Sequence, residues 1–398
     1  AGGEKQNDGT TYEGVSRMNA VQWLFCVAML LYWFSMYTYV PILPLYATSL
    51  GASYKMVGLV IGVYGITQML LRIPQGILSD RMRRRKLFVL VAVAISGVSA
   101  LGMWLVPDVR ALLFFRGLSG VAATAWVVMV VLFSSYFPES EAPRAYGILN
   151  SLGFCGQMAG MFAGGLVAEW YGWGATFVLA AAGAAFGFVL ALRMKETRPD
   201  GSAPLRLAEV PAILRNRHLL MAAAMASLVQ LISYGALFGF VPVVAKQLGA
   251  SNFELGFLST LSSAPSIVAS MLAGSWFIRR LGLRRSICFA FALMAVASAV
   301  IPSLDNLAQL YASQMVSGFG RGLVFPLLMS FSVASMEPGI KATAMGVFQS
   351  LYALGMFAGP VVVGMAADAA GLGAGFWLCA VAGLLGLGLA WRSVGEEK

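Results

Sequence analysis

Twelve apolar stretches, most of about twenty residues or more, fill nearly all of this 398-residue chain. A bilayer core about 30 Å thick takes about 20 residues of α-helix. On that ruler the spans lie near 20–46, 55–79, 87–106, 110–135, 144–168 and 174–193, then 218–246, 254–278, 286–303, 307–333, 341–367 and 373–392. Lipid offers no water to the backbone, so such segments must satisfy their amides internally, as helices do. The chain reads as an all-α membrane protein with twelve transmembrane helices. Only 11% of residues are charged, against about 25% in a soluble domain.

The net charge of +10 could suggest nucleic acid, but its distribution argues for topology instead. Of 27 Lys and Arg, 21 fall in the termini and even-numbered loops, three in odd-numbered loops and three inside spans. By the positive-inside rule both termini are expected in the cytoplasm, with the chain in the cytoplasmic membrane and no nucleic acid partner. The densest cluster follows Gly76-Ile-Leu-Ser-Asp80: Arg81, Arg83, Arg84, Arg85 and Lys86. Charges at this density cannot sit in hydrocarbon, so they mark a surface loop.

An internal repeat divides the chain. Leu50-Gly51-Ala52-Ser53 recurs as Leu248-Gly249-Ala250-Ser251, and Gly58, Gly76, Arg81 and Gly120 align with Gly256, Gly274, Arg279 and Gly318. Gly147, Ser151, Gly156 and Gly160 align with Gly346, Ser350, Gly355 and Gly359, and Glu169 with Asp368. The offset stays at 198 to 199. The expected divisions are a tail over 1–19, a six-helix half over 20–193, a polar linker over 194–217, a second half over 218–392 and a tail over 393–398. The first tail lacks the pattern of a secretory signal and reads as disordered.

The loop after Asp80 resembles the helix 2–3 loop of the major facilitator superfamily, which runs roughly G-x-L-x-D-R-x-G-R-R/K, with Arg83 in place of the second glycine. The resemblance covers Val21 to Trp391 and is greatest to the twelve-helix drug/proton antiporter branch. It implies the major facilitator fold: two pseudo-symmetric six-helix bundles working by alternating access. It further implies a gate of Gly76, Asp80, Arg81 and Arg84, with Asp80 meeting the positive N-terminus of helix 11 near Lys341-Ala342-Thr343. The simpler reading of Asp80 is an interfacial carboxylate among cations. Ile278 stands at its repeat position.

Leu112-Leu-Phe-Phe-Arg116-Gly-Leu-Ser-Gly120 is similar to that branch's helix-4 motif. Arg116 either snorkels to the surface or faces a cavity, since an arginine inside a span costs at least about 2.5–3.5 kcal/mol. Arg321, midway along helix 10, is too deep to snorkel easily and reads as a cavity group or a structural pair. Arg72 is nearer the surface and could be structural. Gly156-Gln-Met-Ala-Gly160-Met161-Phe-Ala-Gly164-Gly165 resembles the antiporter motif of helix 5, with Met161 where proline is expected. Its small residues predict close helix packing.

Polar and aromatic residues recur at helical spacings of three, four or seven: Trp33 and Tyr37, Tyr64 and Gln68, Asn150 and Gln157, Gln230 and Tyr234, Gln349 and Tyr352. Each pair is either interhelical packing or cavity lining. All of these but Tyr64, together with Arg116 and Arg321, form the candidate substrate site. None of the 17 carboxylates falls in the middle of a span, so a lipophilic cation would lack a counter-charge. Glu169 and Asp368 read as helix-end groups, His218 as an interfacial residue, and Cys26, Cys155, Cys288 and Cys379 as buried apolar groups.

No phosphate loop, nucleophile–base pair or metal cluster is visible, so no enzyme activity, catalytic residue, metal or cofactor is expected. The resemblance implies a secondary active transporter for a small molecule, with proton-coupled efflux of amphipathic compounds as the first expectation and a monomer in the lipid bilayer. The alternative is uptake or exchange of an organic anion or zwitterion bound by the cavity arginines.

Overall fold

Side-chain caps mark where the long helices begin. The computed structural model describes residues 18–138, 141–196, 209–334, 336–337 and 340–395, and the backbone alone of Asp80, Ala142, Pro143 and Ala342. Most of the first tail, the middle of the linker and residues 396–398 of the second tail lie outside the described residues. Asn19 caps α1 (Ala20–Tyr37), Ser53 caps α2 (Tyr54–Met82) and Asp108 caps α4 (Val109–Ser134). Asn216 caps α7 (Arg217–Gln247), Ser251 caps α8 (Asn252–Leu272) and Asn306 caps α10 (Leu307–Val333). Each cap accepts a hydrogen bond from an amide that the first turn leaves unpaired. Between them run α3 (Arg85–Leu105), α5 (Ala142–Tyr171), α6 (Trp173–Leu192), α9 (Ile278–Val300), α11 (Lys341–Ala370) and α12 (Leu372–Ser393).

Eleven described helical stretches are long and apolar enough to cross a membrane, and one supplies two spans. Asn252–Ser303 is 52 residues long, roughly twice what a bilayer needs. It turns at Gly282, within the range given for α9, where φ of 76° and ψ of 166° break the helix. The first span differs from its expected extent. Its helix stops at Tyr37 and restarts as a short piece, Leu43–Ser49. Pro41 and Pro44 supply no amide donor there, so the helical ladder breaks.

Packing follows the repeat. In the first half α1 packs on α5 and α6, α2 on α4, and α3 on α4 and α6. In the second half α7 packs on α11 and α12, α8 on α10, and α9 on α10 and α12. The halves meet through α2 with α11 and α5 with α8. Glycines permit these approaches. A Cβ on Gly165 would lie 2.8 Å from the Cα of Gly256, and a Cβ on Gly58 would collide with the Pro360 carbonyl. The α5 stripe of Gly156, Gly160 and Gly164 lies on the α1 backbone, as Gly355 and Gly359 of α11 lie on α7. The close packing expected of helix 5 is therefore present without its proline.

Loops joining an odd helix to the next even one share one face, here the odd-loop face. There the halves are tied by carboxylates. Asp368, at the end of α11, accepts from the amides of Tyr54 and Lys55 on α2, both at 2.9 Å. Glu169, at the end of α5, accepts from Asn252 and Phe253 on α8 at 2.7 and 3.3 Å. Read from sequence as helix-end groups, both acids instead cross between the halves. Cys26 and Cys379 are buried as expected and Cys288 is half-buried, whereas Cys155 is exposed on α5.

Candidate functional site

Where the halves meet at mid-depth, aromatic side chains from four helices converge. Trp33 and Tyr37 sit one turn apart on α1, with ring centroids 6.0 Å apart. Trp33 also meets Trp126 of α4 at 5.6 Å, and Tyr37 meets Phe238 of α7 at 6.1 Å. Tyr64 of α2 stacks on Tyr234 of α7 at 6.2 Å and 19°. The Tyr37 hydroxyl interacts with those of Tyr64 and Tyr234. Tyr234 and Phe238 lie in a wide π-helical segment, Ser233–Phe240, an irregularity frequent at functional sites.

Three arginines surround this cluster. Arg116 is only 3% exposed, with its guanidinium 4.3 Å from the Tyr64 ring centroid. Its Nη1 donates weakly to Tyr39 Oη at 3.4 Å and Ser119 Oγ at 3.3 Å, and its Nε has no partner. Arg72, 5% exposed, donates from Nη1 to Gln349 Oε1 at 2.9 Å and to Tyr352 Oη at 3.4 Å. Its Nη2 donates to Gln68 Oε1, and its Nε is unpartnered. Arg72 thus joins α2 to α11 across the halves. Arg321 is half-buried, donates to Ser266 Oγ at 3.3 Å and lies 5.9 Å from the Phe238 ring centroid.

None of the three bonds to a carboxylate among the described residues. Their partners are amide oxygens, hydroxyls and ring faces. Other buried donors are also unmet: the Trp33 indole Nε1 and the Tyr32 hydroxyl. Tyr32 lies within electrostatic range of both Tyr64 and Arg72. A buried polar group left unpaired is costly, so such a group needs a reason.

Of the candidate residues, Trp33, Tyr37, Arg116, Tyr234 and Arg321 join one connected cluster. Gln68, Gln349 and Tyr352 gather around Arg72 beside it. Asn150, Gln157 and Gln230 are half-buried on α5 and α7, and none of the hydrogen bonds among the described residues joins them to the cluster. Sequence reasoning missed Tyr39, Trp126, Phe238 and Ser266. Phe238 sits four residues after Tyr234, a spacing that could have found it; the others show no local signal. Of the expected gate, Gly76 is buried and Arg81 and Arg84 are exposed at the other end of α2. Asp80 lies in the last turn of α2, with its side chain outside the described residues, and α11 begins at Lys341 as expected.

Comparisons with known proteins agree with this architecture. The family described as Major Facilitator Superfamily matches residues 25–242 and 223–398. The uncharacterized MFS-type transporter YceJ of Bacillus subtilis is 26% identical over 364 residues, covering 87% of each chain. The multidrug resistance protein MdtG of Escherichia coli is 23% identical over 370 residues, covering 90% of each. Among solved structures, a bacterial homologue of the human lysosomal transporter Spinster, inward-facing and occupied, is similar with a TM-score of 0.77. It is 15% identical, over 93% of this chain and 95% of that one.

Proposed function

This chain belongs to the major facilitator superfamily of transporters, and from that premise we propose that it exports small amphipathic molecules by alternating access, driven by protons. The observation that carries this reading is the aromatic and polar centre between two repeated halves whose odd-loop ends are tied together. Aromatic rings and neutral hydrogen-bonders suit a ligand with both an apolar body and a polar group. A site at the interface of the repeats becomes accessible from one face or the other as the halves rock. The likeness to MdtG supports efflux as the direction.

In this reading the domain divisions are those drawn from the repeat. The even-loop face and both termini are cytoplasmic, and the protein works as a monomer in the cytoplasmic membrane. Asp80, Gly76, Arg81 and Arg84 close the even-loop face against the start of α11. Purified protein in proteoliposomes tests the proposal. A pH gradient should drive accumulation of fluorescent amphiphiles, and Asp80→Asn should slow it without loss of folded protein. Transport of none of a panel of cationic, neutral and anionic amphiphiles would overturn the reading. Transport indifferent to the gradient would remove proton coupling.

A further inference from the structure

Around Tyr64 the described groups are two cations and several hydroxyls, with no carboxylate among them. Arg116 covers its ring, and Arg116, Arg72 and the hydroxyls of Tyr37 and Tyr39 lie within electrostatic range of its own hydroxyl. Arg72 Nε and Arg116 Nε each carry a buried N–H with nothing to receive it. So does Trp33 Nε1, which adjoins the same cluster through Tyr37. An N–H of arginine or indole can only donate. A ligand that satisfies these groups must therefore bring acceptor oxygens and negative charge. Removing an arginine's charge by deprotonation is not available in a protein, so its compensation must come from a partner.

We propose that the transported molecule is an aromatic organic anion, a carboxylate or sulfonate held by Arg116 and Arg72. Its ring system lies among Trp33, Tyr37, Tyr64, Tyr234 and Phe238. Arginine suits this task because its fork of donors matches two oxygens at once. The inference rests on the transporter reading for its meaning but not on the direction of transport. It explains why the spans hold three arginines and no carboxylate at mid-depth. A carboxylate near the arginines would satisfy them internally and compete with the ligand.

The test is thermal stabilisation of the full chain by naphthalene carboxylate, naphthalene carboxamide and naphthylmethyl ammonium, three probes of one shape. The carboxylate should raise the melting temperature in proportion to its concentration, and at least tenfold more carboxamide or ammonium should be needed for an equal rise. Arg116→Gln should abolish that selectivity. Arg116→Lys, which keeps the charge but loses the fork, should weaken carboxylate binding about tenfold. Trp33→Phe, which keeps the ring and loses the indole donor, should weaken it less. Arg279→Gln, on the exposed even-loop face, should leave it unchanged. Equal stabilisation by all three probes, no stabilisation by any, or selectivity surviving in folded Arg116→Gln overturns the anion site. Selective carboxylate binding without uptake into proteoliposomes would instead overturn transport and leave the site standing.

A different observation carries a second inference: Glu169 and Asp368 form a reciprocal latch. Each acid ends a helix of one half and receives the first two amides of a helix in the other. The third amide is met from within, by Ser53 for α2 and by Ser251 for α8. Asn252 strengthens one side, accepting from Trp173 Nε1 at 3.0 Å and donating to the Ala168 carbonyl at 3.3 Å. These bonds break only when the halves part on the odd-loop face. Spin labels at Ser49→Cys and Lys246→Cys, in a background without the four native cysteines, report that separation. Glu169→Gln with Asp368→Asn should raise the long-distance population at least threefold. Glu254→Gln, which alters a cap wholly inside α8, should not. An unchanged distance distribution in the double variant overturns the latch.

Discussion

The odd-loop face and the centre of this protein treat the repeat in opposite ways. At the face, Glu169 and Asp368 are repeat equivalents, and so are the amides they receive. Gly256 against the Met161 carbonyl and Gly58 against the Pro360 carbonyl repeat the same close approach. In the centre the symmetry is gone. Gln314, bonded to Ser313, stands where the second half would repeat Arg116, and Ala123 stands where the first would repeat Arg321. The odd-loop face joins the halves along two like seams, so duplicated parts serve it. A small-molecule ligand has no two-fold symmetry of its own, so the groups that read it need none.

The largest expected effect tests the symmetric side. Gly165→Leu and Gly58→Leu each drive a side chain into facing backbone, which cannot give way as a flexible side chain can. Each should cost about 3 kcal/mol of stability, seen as a large fall in melting temperature in detergent. If one is tolerated and the other is not, the two seams are not equivalent.

The next probes the asymmetric side. Arg116→Gln should reduce affinity for the naphthalene carboxylate more than tenfold, about 1.4 kcal/mol or more. Arg321→Gln should reduce it less, because Arg321 is half-buried and already has Ser266 as a partner. Isothermal titration compares the two, and equal losses would mean that the anion lies between them.

Removing one latch acid at a time is a smaller change. Glu169→Gln or Asp368→Asn should each loosen the face by about 1 kcal/mol, the usual scale for a lost helix cap or helix-end charge. Hydrogen exchange should quicken at the start of α8 in the first and of α2 in the second. Exchange confined to one side would break the symmetry.

The smallest effect concerns the turn after the second helix of each half, where one half departs from glycine. At the offset of 198 that holds here Gly282 aligns with Arg84, one residue on, and both Arg83 and Gly282 have positive φ, 51° and 76°. A residue with a Cβ pays for that conformation, so Arg83→Gly should stabilise the protein by about 1 kcal/mol. Gly282→Ala should destabilise it by a similar amount. Chemical denaturation of both variants measures the difference. The family pattern that expects glycine at position 83 therefore reflects the conformation the loop adopts.

Much of the architecture was legible in the chain because the bilayer imposes it. Span length, the positive charge of even-numbered loops and the 198 to 199 residue offset are one-dimensional signals with direct physical causes. For Arg321 the sequence pointed to a cavity or a partner, since an arginine far from any polar stretch needs one, whereas for Arg116 snorkelling stayed open until the fold buried it. The span drawn over 20–46 did not show that its helix ends at Tyr37, because the effect of Pro41 and Pro44 depends on what lies beside them.

By itself, then, the sequence determined twelve apolar helices, their division into two related halves and an arginine-bearing, acid-free middle. Each follows from local composition and the energetics of lipid. Tertiary structure alone decided the partners. It set Arg72 against Gln349, residues 277 positions apart, and Arg116 over Tyr64. It also turned Glu169 and Asp368 from helix ends into links between halves. Such contacts depend on how helices distant in sequence cross, and crossing is set by the sum of many small packing terms that no short stretch of residues encodes.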